Sequence, residues 1–221
     1  MIILPRKTHQ AGFSLIEIAI VLVIIGLLLG GVMKGQTMVQ NTKIKRIATD
    51  TQSVQASIHA YSDTYWQLPG DDSGAVAHFT AAVVGPGDGD GKIEGLFEPA
   101  DLDADETARA WSHLRCANLI KGSCVAAATA SVLPRNPVGG IVGIADGRAS
   151  SATVLDMTTM AVCMTNIPST VAEAYDTLQD DGVGTSGDVL GSANGAAAAD
   201  ATPSNATAYT AGQVVYVCSG F

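Results

Sequence analysis

An α+β fold, with a long N-terminal helix packed on a small antiparallel sheet, is predicted by three features of the sequence. An uninterrupted apolar run, Ile18 to Met33, lies near the start. From Gly35 no proline occurs until Pro69, and the apolar positions between them recur at helical spacing. The C-terminal half then carries Val-, Ile- and Thr-rich segments separated by glycine-rich turns, the pattern of short strands.

The apolar run comes first. Counted from Phe13 to Met33 it holds 21 residues, about 31 Å of helix at a rise of about 1.5 Å per residue, enough to cross a bilayer's hydrocarbon. Everything beyond Lys34 is mixed in polarity and reads as soluble. Arg6 and Lys7 supply a basic start, which the positive-inside rule keeps cytoplasmic. An ordinary secretory signal would place a small-residue cleavage site after the run. Here the small residues Ala11 and Gly12 precede it, so a cut there leaves the anchor attached, beginning at Phe13.

Glu17 is the anomaly in this segment. A carboxylate in a membrane anchor costs about 2.5–3.5 kcal/mol on insertion scales. A cation offsets that cost, and the free amine of Phe13 on a neighbouring copy would be one. Glu17 then reads as a docking charge that also sets register; a Glu snorkelling near the cytoplasmic face is the alternative. Gly26–Gly30 and Gly31–Gly35 are two small-xxx-small spacings that allow close helix approach.

The string "GFSLIE", Gly12 to Glu17, followed by the apolar run, resembles the processing site of type IV prepilins and type II secretion pseudopilins. The resemblance implies that a prepilin peptidase cuts after Gly12 and that Phe13 becomes the N-methylated first residue. It assigns Glu17 to assembly. It implies a removed leader (1–12), a transmembrane or filament-core helix (13–34), an amphipathic continuation (35–66) and a periplasmic head with a disulfide-bounded C-terminal region (67–221). The pilin-like chain would sit in a bacterial inner membrane, cross it once, and then enter a filament. Its partners would be copies of itself, other pilin-like subunits, the peptidase and an inner-membrane assembly platform. Many type IV pilins carry a proline within the anchor. This one has none, and Gly30-Gly31 is the nearest substitute for a soft point.

Past the anchor, Ile44, Ile47, Thr51, Val54, Ile58, Tyr61 and Tyr65 are spaced 3, 4, 3, 4, 3 and 4 apart, a one-sided stripe. One helix is therefore expected from Phe13 to about Trp66, roughly 80 Å at the usual rise, with its second half packed on the head. "YWQLPGDD" (65–72) ends it, because the residue before proline disfavours helix and Pro-Gly-Asp is turn chemistry. The same stretch resembles the "Y-x-x-LPGD" of a subset of pilin-like proteins.

Residues 104–120 read as a second amphipathic helix offering Ala110, Trp111, Leu114 and Leu119 to the core, with Gly122 as its stop. Strands are expected at 139–145, 152–164 and 213–219, with a short helix at 169–179. Residues 180–213, rich in Gly, Ala, Ser and Thr, read as a long surface loop.

Four cysteines, Cys116, Cys124, Cys163 and Cys218, lie beyond the anchor. An even number on the far side of a membrane points to two disulfides. Three pairings exist; a short Cys116–Cys124 clip with Cys163–Cys218 tying the chain's end to its core is the favoured one. With that second pair, residues 180–213 would lie in the disulfide-bounded region that varies and faces outward in pilins.

The net charge of −9 argues against a nucleic-acid partner, and removing residues 1–12 with Arg6 and Lys7 takes it to −11. "GDGDGKIE" (87–94) resembles the middle of a calcium loop, but Pro86 and Phe97 stand where the outer ligands belong. An acidic glycine-rich turn is the favoured reading. A calcium site on Asp88, Asp90 and Glu94 with Asp71 or Asp72 is the alternative, and no other cofactor is expected. His59, His78 and His113 have no metal-ligand spacing, and neither a G-x-S-x-G elbow nor a Walker loop occurs. No enzyme is expected. The leading function is a structural subunit of a pilus or secretion pseudopilus, a minor pilin or pseudopilin. A filament-tip adhesin binding a ligand comes second, and a membrane-tethered periplasmic protein third.

Overall fold

The computed structural model describes residues 14–79, 85–95, 105–124, 133–149, 155, 157–192 and 206–221. The chain forms two compact units, Met1–Asn41 and Thr42–Phe221. Helix α1, Leu15–Tyr65, supplies residues to both. Its portion in the first unit is exposed throughout.

In the second unit α1 contributes one wall of the core. Ile47, Thr51, Val54, Ile58 and Tyr61 are buried, while Ile44 and Tyr65 pack at the margin. Thr51, the polar member of the stripe, is satisfied locally: its hydroxyl donates to the Ile47 carbonyl oxygen at 3.0 Å.

The sheet has four antiparallel strands in the order β1-β2-β4-β3: β1 Val142–Asp146, β2 Met160–Pro168, β3 Val189–Ser192 and β4 Val214–Gly220. Alternation along these strands divides their side chains between two buried clusters. Val142, Ile144, Val162, Met164, Val189, Val215 and Val217 join the main core. That core also holds α1, α3 (Glu106–Cys116) and α4 (Ser169–Gln179), while α2 is the single turn Ala75–His78. Ala145, Ala161, Cys163, Leu190, Tyr216 and Cys218 form the second cluster with Leu155 and Met157. The register slips between Met164 and Ile167, where Asn166 takes a φ of 59°, and this bulge returns Ile167 to the main core.

This is the α+β, pilin-like architecture the sequence predicts, with local differences. Residues 180–213 are not all loop, because Val189–Ser192 pairs with β4. Four residues among Gly, Ser and Asp give no periodic signal, and the strand exists through its partner. The strand expected at 152–164 lies instead at Met160–Pro168, and residues 152–154 and 156 fall outside the described set. Pro168 is tolerated as the strand's last residue, where the chain turns into α4. The second helix, expected over 104–120, spans Glu106–Cys116 and stops well short of Gly122. Asn118 adopts φ 58°, its N–H bonds to the Arg115 carbonyl and that of Leu119 to the Leu114 carbonyl, each at 3.0 Å. These are the two bonds of a Schellman stop, with asparagine in the place glycine usually takes.

Candidate functional site

The first candidate surface is the anchor portion of α1. Its large apolar side chains, from Leu15 at 92% exposure to Val39 at 56%, have nothing to cover them in the single chain. Among the described residues α1 is the one helix long and apolar enough to cross a membrane. Glu17 lies in its first turn, where a negative charge complements the unpaired N–H groups of a helix start. A methyl group added at Gly26, Gly30, Gly31 or Gly35 would meet nothing within 4 Å, so both small-residue spacings are open to a neighbour. Gly12 and Phe13 lie outside the described residues.

The second candidate is the acidic corner after α1. Asp71 accepts the N–H groups of Gly89 at 2.6 Å and Asp90 at 3.0 Å on one oxygen, and that of Gly91 at 2.9 Å on the other. The segment 85–91 thus wraps onto Asp71. Gly87 packs against the Asp71 backbone with no room for a Cβ. Glu106, in the first turn of α3, holds the same segment from the other side by accepting the N–H groups of Asp88 at 3.1 Å and Glu94 at 3.0 Å. Burial raises both carboxyl groups above their usual range despite these donors, and nearby Asp71 and Asp88 add to the rise at Glu106.

Oxygens of Asp71, Asp88 and Glu106 lie within 4.8 Å of one another. Asp90 and Glu94 are not in that group. Asp90 instead accepts the Lys92 N–H at 2.8 Å and faces its ammonium at 3.7 Å. Glu106 is the member that sequence reasoning missed, because its reach across to residue 88 follows from the docking of α3 and from no motif.

Asp72 is buried and joins three elements. It accepts the Tyr61 hydroxyl at 2.6 Å and the Gly74 N–H at 2.8 Å, and it contacts His78 Nδ1 at 2.9 Å. Burial, reinforced by that carboxylate, raises the Tyr61 phenol well above its ordinary value. Asp146 accepts two guanidinium bonds from Arg148, at 2.8 and 2.6 Å, and the Ile93 N–H at 3.2 Å, which ties the acidic segment to β1. Burial opposes its charge, yet these donors hold its carboxyl below the usual range.

A second carboxylate group, Asp176, Asp180 and Asp181, closes α4. Asp176 accepts the Tyr209 hydroxyl at 2.8 Å and the Gly182 N–H at 3.0 Å, and Asp180 accepts the N–H groups of Asp188 and Val189. These bonds start β3. In both acidic corners the carboxylates accept backbone N–H groups of the loops beside them.

Disulfides join Cys116 to Cys124, a clip just beyond α3, and Cys163 to Cys218, directly opposed on β2 and β4. The described residues contain no free cysteine.

Residues 7–33 match the prokaryotic N-terminal methylation motif, the signature of type IV pilins and pseudopilins. No curated protein and no solved structure matches the chain significantly. The matched segment and the apolar helix together give a membrane-anchored, pilin-type N-terminus of the class that prepilin peptidase processes.

Proposed function

We propose that the chain is a structural subunit, a minor pilin or pseudopilin, of a type IV pilus or type II secretion pseudopilus. The observation that carries this reading is Glu17 in the first turn of an uncovered apolar helix, within a matched methylation motif. Cleavage after Gly12 exposes the amine of Phe13, and that amine on one copy neutralises Glu17 on the next. The charge pair offsets a lipid penalty of about 2.5–3.5 kcal/mol and fixes the stagger between subunits. Gly26, Gly30, Gly31 and Gly35 then let neighbouring helices approach. Repetition of one head-to-tail contact that does not close produces a helical filament. The head lies in the periplasm before assembly, and the chain is extracted from the inner membrane by a platform whose energy comes from elsewhere. The subunit contributes packing and no catalysis.

N-terminal mass spectrometry of the mature protein tests the first step, with N-methyl-Phe13 as the expected first residue. Glu17→Ala tests the second: the variant inserts in the membrane and is processed but enters no filament. A mature chain starting elsewhere, or normal filaments from Glu17→Ala, overturns the proposal.

A further inference from the structure

The second unit contains a cleft of about 600 Å³ between α1, α3 and the segments around residues 120 and 135. Its lining is unusual for this chain. Arg46, Arg115, Lys121 and Arg135 all face it, four of the twelve Lys and Arg residues in a protein of net charge −9. Asp50 is the one carboxylate among the described lining residues, and it sits 3.7 Å from Arg46 in a half-exposed pair. Trp111 forms part of the wall, and its indole Nε1–H is buried without an acceptor among the described residues.

The four cations come from separate parts of the chain, so the fold concentrates them where no sequence run does. Arg115 is 8% exposed, and burial pulls its guanidinium below the ordinary value. Arg135 keeps its place by donating from Nη1 to the Gly139 carbonyl oxygen at 3.1 Å, which leaves the rest of its donor fork available for a planar, two-oxygen acceptor. The volume lies within the range of clefts that enclose ligands.

We propose that this cleft binds carboxylate groups, with the Arg135 and Lys121 side chains as the accessible contacts and Trp111 in the wall. The inference is independent of the filament reading. Two sources present the same chemistry, a free polycarboxylate and an acidic run of polypeptide, and two probes separate them.

The full chain in detergent micelles, carrying Trp66→Phe so that Trp111 is the one remaining indole, is titrated with citrate and with hexaglutamate. Calorimetry reads binding and Trp111 emission reads location. Saturable heat and a matching emission change with at least one probe are expected, weakening as salt screens the charges. Binding of citrate alone assigns a small polycarboxylate; tighter binding of hexaglutamate assigns an acidic peptide. In Lys121→Gln/Arg135→Gln, two substitutions of exposed side chains, affinity falls by roughly tenfold or more. No saturable heat with either probe, equal binding of hexalysine, or affinity unchanged in the double variant overturns the proposal.

Discussion

The Nδ1 atom of His113 accepts a hydrogen bond from the backbone N–H of Gly70 at 3.0 Å. Because Nδ1 accepts, the ring proton sits on Nε2, which donates to the Gly85 carbonyl oxygen at 3.1 Å. One buried imidazole thus pins the turn after α1 to the acidic segment. Gly70 needs to be glycine there: its φ is +96° and a Cβ would collide with the Glu106 carbonyl oxygen.

Protonating Nδ1 would destroy the Gly70 bond, and burial holds His113 below the ordinary histidine value of about 6.5. With the folded value depressed, the unfolded chain takes up the proton first. Stability is therefore full above about pH 6.5 and falls below it, by up to about 1.4 kcal/mol per pH unit for one proton. Denaturant unfolding of wild type and His113→Gln between pH 7.5 and 5.5 checks this, with the slope expected to flatten in the variant. Asp71 and Glu106, whose values are raised, contribute in the opposite sense, losing stability as pH rises through them. They are common to both proteins and cancel in the comparison.

Tyr61→Phe removes a hydroxyl that donates to the buried Asp72 at 2.6 Å. The ring volume is kept, so the cost is that of a buried carboxylate with one donor fewer, about 1–3 kcal/mol. Chemical denaturation should show a lower midpoint with an unchanged slope.

Cys163→Ala/Cys218→Ala deletes the bond that joins β2 to β4 across the second cluster. Removing a native disulfide typically costs about 2–5 kcal/mol. Reduction of the wild type breaks both disulfides and should lower the melting temperature by at least as much, and the double variant should keep only the response that comes from Cys116–Cys124.

Divalent cations are expected to leave melting unchanged. Both oxygens of Asp71 and both of Glu106 already accept backbone N–H groups, so a cation would have to share these carboxylates with the donors that hold the loop. Thermal melts with EDTA and with added calcium check it; a calcium-dependent rise would support the ion-binding reading of this loop.

The long helix and α4 were legible because their apolar residues recur at 3 and 4, and one face of each is buried. The anchor portion was legible because a long uninterrupted apolar run has few alternatives to a helix of that length. Less legible was whatever depends on two distant segments meeting. β3 is set by its pairing with β4 and by Asp180. Glu106 acquires its role only when α3 docks beside residues 88–94. Asn118 terminates α3 because the Schellman bonds form there, ahead of the glycine that sequence singled out. The basic cleft draws on α1, α3 and two loops, and the overall acidity of the chain conceals it.

Ile47 to Tyr61 belong to the same interior as the sheet and α3. A soluble fragment designed for biophysical work cannot begin after the helix, at Leu68, without leaving Trp111 and Leu114 facing solvent where that wall had been. Truncation upstream of Ile44 keeps the interior whole while discarding the greasy half, which makes Thr42 the natural first residue of such a fragment.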